Sequence, residues 1–240
     1  MSRYEPAIDV AAVRAIDSHV HVQFDSTGRH SLPQELFDAM DRYFGQGTPA
    51  LSVDDLAAYY RERSMAAVVF TVDARTAMGV APNSSAEIAE GAARHPDVLI
   101  PFGSVDPNTG GAAIDLAREL AIEHGVRGFK FHPSIQRFDP SDPAFAPLWA
   151  AITELGVPIV VHTGQTGVGA GMPGGYGIKL RYSNPMLLDD VAADFPDLTR
   201  ALPSATASVV VEGAQLLADL DATPQAQTWH VGMGADGAAI

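Results

Sequence analysis

The chain has 240 residues, of which 47% are hydrophobic and 18% charged, with 22 Gly, 17 Pro and no Cys. This composition is that of a globular protein, and the missing Cys excludes a disulfide framework, a thiol nucleophile and a thiolate zinc site, leaving His, Asp, Glu and Lys to carry chemistry. A formal net charge of −14 opposes approach to nucleic acid or anionic lipid.

In chain order, short β-branched runs alternate with longer helix-compatible segments, the pattern of βαβ units around a parallel sheet. Strands are predicted over Ala15 to Val22, Ala66 to Val72, Val98 to Val105, Val126 to His132 and Pro158 to Thr163. Between the third and fourth, Gly110 to His124 carries Ile114, Leu116, Ala117, Leu120 and Ala121 largely on one helical face, with Gly125 as the stop. A second helix is predicted from about Pro143 to Leu155, ending at Gly156. A third starts with Asn184 as N-cap and Pro185 at the first helical position, and Pro196 ends it. From Gly164 to Lys179 the chain holds seven Gly in a loop long enough for a lid or a disordered connection.

The strand starts at 66, 98, 126 and 158, with a next apolar start at Leu198, advance by a mean step of 33 residues. At that pace a seventh strand begins near residue 231 and an eighth near 264, past Ile240. The expected fold is therefore α/β, a TIM-barrel-like (β/α)8 single domain over 1–240 with its last strands missing or rebuilt. Residues 200–240 are rich in Ala, Thr, Gln and Gly, with one apolar run at Val209 to Val211 and a short helical candidate from Gly213 to Leu220. An open barrel leaves an unpaired edge at the sixth strand, which points to self-association. No run of 18 apolar residues and no apolar signal core occur, so the chain reads as soluble and cytoplasmic, with no membrane partner.

Three strand ends carry the candidate chemistry. Alternation puts His19 and His21 on one face of the first strand, one pleat apart, with Asp17 expected beside them; such a pair can ligate one metal ion or can be ordinary polar side chains. His162 closes the fifth strand, where it can join them as a third imidazole or bond a backbone carbonyl. On the fourth strand Lys130 and His132 share a face. Lys130 is expected to hold a substrate anion or to pair with Asp106 or Asp73, and His132 to act as base, ligand or donor. Gln136 and Arg137 are placed on the following loop, lining the same mouth. His30, His95 and His124 are expected to face solvent.

The pieces Ile16-Asp17-Ser18-His19-Val20-His21, Gly128-Phe129-Lys130-Phe131-His132-Pro133, Val160-Val161-His162-Thr163-Gly164 and Ser183-Asn184-Pro185 to Phe195-Pro196-Asp197-Leu198 span about residues 15 to 199. With them the chain resembles the amidohydrolase-related branch of the amidohydrolase superfamily, which also holds decarboxylases of the aminocarboxymuconate-semialdehyde type. The resemblance implies a distorted (β/α)8 barrel and one divalent ion, zinc or another, with His19, His21 and His162 as ligands; Lys130, His132 and Gln136, from their own placement, are expected to meet a small-molecule substrate. It implies a hydrolase acting through metal-activated water on a small carboxylated or carbonyl-bearing metabolite, or a non-oxidative decarboxylase. The family pattern continues with a His soon after Phe-Pro-Asp-Leu and an Asp at the eighth strand. Here Thr199 to Ser204 holds no His, and the surroundings of His230 and Asp236 do not match. The chain thus reads as truncated or frame-altered after about residue 199, which keeps a third reading open, an inactive fragment or interaction subunit.

Overall fold

The structure, a computed structural model, describes residues 2–44 and 51–200. The readings that fall on 201–240, including His230, Asp236, the run Val209 to Val211 and the helix from Gly213, lie outside the described residues. Strand β1 (Ile16–His21) leads through α1 (Gln34–Phe44) and α2 (Val53–Glu62) to β2 (Ala66–Phe70). Then come α3 (Arg75–Met78), α4 (Ser85–Ala93), β3 (Leu99–Pro101), α5 (Gly111–Glu119), β4 (Phe129–Phe131), the single turn α6 (Pro133–Gln136), α7 (Ala146–Leu155) and β5 (Ile159–Val161). Helices α8 (Leu187–Asp194) and α9 (Pro196–Arg200) complete the described chain.

All strand pairs are parallel: β1 to β2, β2 to β3, and β4 to β5. The two sheets join through a parallel bridge between Gly103 and Phe129, with Lys130 N–H donating to Gly103 O at 2.7 Å. The described residues therefore form five consecutive strands of a TIM-type wall. They do not close into a barrel.

Burial explains the strand runs. β2, Ala-Ala-Val-Val-Phe, is covered on both faces, as a strand in a parallel wall must be. Val68, Phe70, Ile100, Phe102 and Val160 form the interior layer, with Ile16 and Ile8 packed against it. On the outer side α2 and α4 cover β1 to β3 through residues such as Leu56, Tyr60 and Ile88, and α5, α7, α8 and α9 cover β4 and β5 around Trp149 and Ile152. Gly128 is required because a Cβ there would overlap the ring of Phe102. Helix α5 runs on into a wide turn over Leu120–His124 and stops at Gly125, whose φ of 74° suits Gly.

Two expectations change. Leu198 begins no sixth strand: it lies inside α9, 2% exposed, because Pro196 opens a new helical turn after α8 has ended at Asp194. His124 is buried, with Nε2 3.8 Å from Glu119, while His95 bonds Asp54 at 2.9 Å and His30 stacks on Phe37 at 4.2 Å. None of the three stands free in solvent.

Candidate active site

The C-terminal ends of β1, β4 and β5 bring His19, His21, Lys130, His132 and His162 into one neighbourhood. A register shift between Asp17 and Val20 controls the first of these. One extra residue in the strand reverses the alternation, so Ile16 faces inward, Asp17 outward, and His19 and His21 inward again. Both imidazoles then meet the ring of Phe70 edge-on, at centroid distances of 5.3 and 4.9 Å. Asp17 does not stand beside them as alternation implied. Its Oδ2 accepts from Tyr60 of α2 at 2.6 Å and its Oδ1 from the His19 amide.

His19 Nε2 and His21 Nε2 are 3.2 Å apart. Two nitrogens bound at about 2.0–2.1 Å to one tetrahedral ion would stand about 3.3 Å from each other. The pair has that spacing, and both rings are held neutral. Enclosure by protein, then the charge of Lys130 and of His162, lowers His19 to about 3, although one side of it opens to solvent in the mouth. His21 is pushed well below its ordinary value by burial first and then by His19, Lys130 and His162. Neutral imidazole is the ligand form.

Lys130 is wholly buried, its Nζ 3.3 Å from His19 Nε2 and 5.0 Å from the centre of the Phe70 ring. Burial lowers its pKa from 10.5 to about 7. The alternative of an internal ion pair is not what forms. Asp73 is taken by the guanidinium of Arg75, at 2.7 Å, and Asp106 by the amides of Asn108 and Thr76. Lys130 is thus a cation placed in an apolar interior without a described carboxylate beside it, a costly arrangement that a bound anion would relieve.

His132 and His162 stack face to face, centroids 3.8 Å apart and planes within 10°. His132 caps α6, its Nδ1 accepting from the Ile135 amide at 3.4 Å, and burial, then His162, Lys130 and His21, hold it well below the usual imidazole range. His162 is lowered to about 4 by burial and then Lys130. Its Nε2 is buried without a hydrogen-bond partner. Among the described residues, no three His, Asp or Glu side chains gather tightly enough to hold an ion together. The donor set therefore fits a divalent ion through the His19–His21 pair, with His162 a nearby orphaned nitrogen rather than a third ligand already in place.

Gln136 does not line the mouth. It is 0% exposed, and both of its amide protons go to backbone carbonyls, those of Asp73 at 2.7 Å and Val105 at 2.9 Å. The Gly-rich loop is neither free nor disordered. Val168, Met172, Tyr176 and Ile178 pack on Leu36, Met78 and Ile135 above the strand ends, and Tyr176 Oη donates to Glu35 of α1 at 2.9 Å. Sequence reasoning also missed Ser104, whose Oγ donates to Lys130 O at 2.8 Å and accepts from Asp73 N–H at 3.0 Å, joining three strand ends. A small hydroxyl just past a buried run was the available signal.

The amidohydrolase family pattern matches residues 16–202. The chain belongs to the amidohydrolase family. Among solved structures it is similar to an uncharacterised TIM-barrel protein from Bordetella bronchiseptica (21% identity, TM-score 0.55, covering 76% of this chain and 64% of that one). It is also similar to 2,6-dihydroxybenzoate decarboxylase from Rhizobium (14%, TM-score 0.53, 76% and 63%). A third is 5-carboxyvanillate decarboxylase from Novosphingobium aromaticivorans, solved with manganese (14%, TM-score 0.53, 82% and 66%). At these identities the likeness is one of fold, and the chain spans less than two thirds of the length of these structures. A comparison with curated proteins finds no match. Enzymes of this amidohydrolase family use a divalent metal. Among the described residues no helix is long and apolar enough to cross a membrane.

Proposed function

We propose that this amidohydrolase is a metal-dependent hydrolase of a small carboxylated or carbonyl-bearing molecule. His19 and His21 would hold one divalent ion, zinc or another, and His162 would be recruited as a third nitrogen. The reading is carried by one observation: two neutral imidazole nitrogens lie 3.2 Å apart beside a wholly buried lysine with no described carboxylate partner. When bound, such an ion supplies Lewis acidity that makes hydroxide available near neutral pH and polarises a carbonyl. Lys130 in its protonated form would hold the anionic group of the substrate, an attraction left little screened beside the apolar ring of Phe70. His132, kept neutral, is a hydrogen-bonding partner for the substrate rather than a second cation. The docked Gly-rich loop covers part of the strand ends, while His19 stays open to solvent.

A second reading within the family, non-oxidative decarboxylation, is favoured by the outward turn of Asp17. Lys130 and the imidazoles are then the polar groups at the mouth, a set suited to holding a carboxylate and returning a proton to carbon. Elemental analysis of gel-filtered full-length protein tests the common basis of both. About one divalent ion per chain, lost in His19→Ala, is the expected result. Absence of metal, or metal retained in His19→Ala, defeats both readings and leaves the third, an inactive fragment or interaction subunit. With metal present, a screen of small carboxylates separates the two by whether turnover consumes water or releases carbon dioxide without it.

A further inference from the structure

The ladder bonds of the wall run out at the C-terminal rim. From β2 to β5 the last rungs are Phe102 N–H to Val69 O at 3.0 Å, Lys130 N–H to Gly103 O at 2.7 Å and His162 N–H to Phe131 O at 2.9 Å. Beyond them the chain at Asp73, Val105 and His132 splays outward, and its backbone groups need other partners. One side chain meets all three. Gln136 donates its two amide protons to Asp73 O and Val105 O and accepts from His132 N–H at 2.8 Å. Its own backbone is committed too, N–H to His132 O at 2.9 Å and O to Asn108 Nδ2 at 2.7 Å. Arg137 follows in the left-handed region, φ 56°, and ends the single turn that folds Gln136 back over the rim.

We propose that Gln136 is a positioning residue: by bridging the ends of β2, β3 and β4 it sets where the His132 imidazole stands against His162. The inference rests on the enzyme reading above for its functional meaning, and on backbone geometry for its substance. His132 is held at its N–H by the Gln136 side chain and at its O by the amides of Ile135 and Gln136. A backbone pinned on both sides of the Cα leaves the ring little freedom, and the close stack on His162 follows. Gln136 touches no substrate in this account. It acts through His132, replacing the rungs that a splaying rim cannot form.

The test uses the full chain and reads the histidine ring signals by NMR alongside the melting curve. Gln136→Met keeps length and volume and removes all three side-chain bonds. The expected result is a shift of the His132 and His162 ring signals, with those of His95, bonded to Asp54 on the outer surface, unmoved. Rings of His132 and His162 that keep their wild-type shifts while the melting temperature falls would overturn the proposal and leave Gln136 a structural staple. Should Gln136→Met fail to fold, Gln136→Asn, shorter by one methylene yet still polar, withdraws the amide from His132, and unchanged rings there overturn the proposal equally. Wild-type protein without metal or turnover defeats the enzyme reading alone. Unmoved rings defeat this inference alone.

Discussion

The two ends of the strand wall differ in kind. At the N-terminal end a cavity of about 510 Å³ is lined by Arg14, Ala15, Glu62, Arg63, Ser64 and Met65, and its charges are satisfied in ordinary ways: Arg63 lies over the Tyr59 ring, donates to Tyr59 O at 2.9 Å and stands 3.7 Å from Glu62. At the C-terminal end, among the described residues, a lysine is buried without an ion pair, four imidazoles are held neutral, and one ring nitrogen is orphaned. Space is cheap where groups are solvated; unsatisfied polarity in an apolar interior is costly and persists where something else compensates it. The candidate chemistry of this molecule is therefore marked by unpaired polar groups held in an apolar interior, and the opposite end by solvated charges with ordinary partners.

The largest effect expected from that difference is on function. His21→Ala should abolish metal uptake and any turnover found by the screen, a loss of at least about 100-fold, while Arg63→Ala at the opposite end leaves both intact. Loss of metal in Arg63→Ala would break the comparison outright. Acid should expose the same contrast in stability. His19 and His162 titrate near 3 and 4 in the fold and near 6.5 unfolded, so between those values the unfolded chain binds more protons. Stability is then full above pH 6.5 and falls as pH drops toward 3, by up to about 1.4 kcal/mol per pH unit for His162 and by less for His19, whose exposed side is screened by solvent. Melting curves from pH 7.5 to 4.5 should show the fall, and His162→Gln should flatten it.

Most of the wall and part of the site could be read from the residues alone. Runs such as Ala-Ala-Val-Val-Phe and Ile-Val-Val mark buried parallel strands whatever their period, which is why all five strands were placed. Their ends were overrun because the strands splay at the rim, where apolar residues continue but ladder bonds do not. Alternation places His19 and His21 on one face, as the structure does, but a period of two cannot register the bulge that turns Asp17 outward. The polarity of Gln136 suggests an exposed loop position at the mouth, yet its side chain is buried. Its spacing of four from His132, with Pro133 opening a helical turn between them, held the contrary signal. Asp73 and Asp106 looked available to Lys130 until Arg75, Asn108 and Thr76 were seen to occupy them.

Lys130→Met sharpens the comparison from the other side. Replacing a buried, unpaired cation by an apolar side chain of similar length should raise stability at pH 7 by about 1–4 kcal/mol, while the variant no longer binds anionic substrate. The sign follows from the lowered pKa of about 7: between there and 10.5 the unfolded chain holds the proton that the fold gives up, so wild-type stability climbs with pH over that window and the Met variant's does not. Denaturant melts at pH 7 and 9.5 measure both. A variant less stable than wild type at pH 7 would mean that Lys130 is compensated by something other than a ligand.

The smallest effect concerns the cover over the C-terminal end. Tyr176 sits at φ 57° within a left-handed run with Gly174, Gly175 and Gly177, a conformation costing about 1–2 kcal/mol for a residue bearing a Cβ. Its hydroxyl bond to Glu35 crosses from the loop after β5 to the helix after β1, and Arg137 Nη2 reaches Tyr176 O at 3.4 Å. Tyr176→Phe removes the hydroxyl bond while retaining the ring and the backbone strain. Released from its latch, the loop should open more often without loosening the wall beneath it. Trypsin cleavage after Lys179, an exposed residue at the end of the loop, should therefore quicken while the global melting temperature stays put. Equal cleavage rates would show that packing of Val168, Met172 and Ile178 on the strand ends holds the loop down unaided, and that the contrast between the two ends of the wall owes nothing to this hydrogen bond.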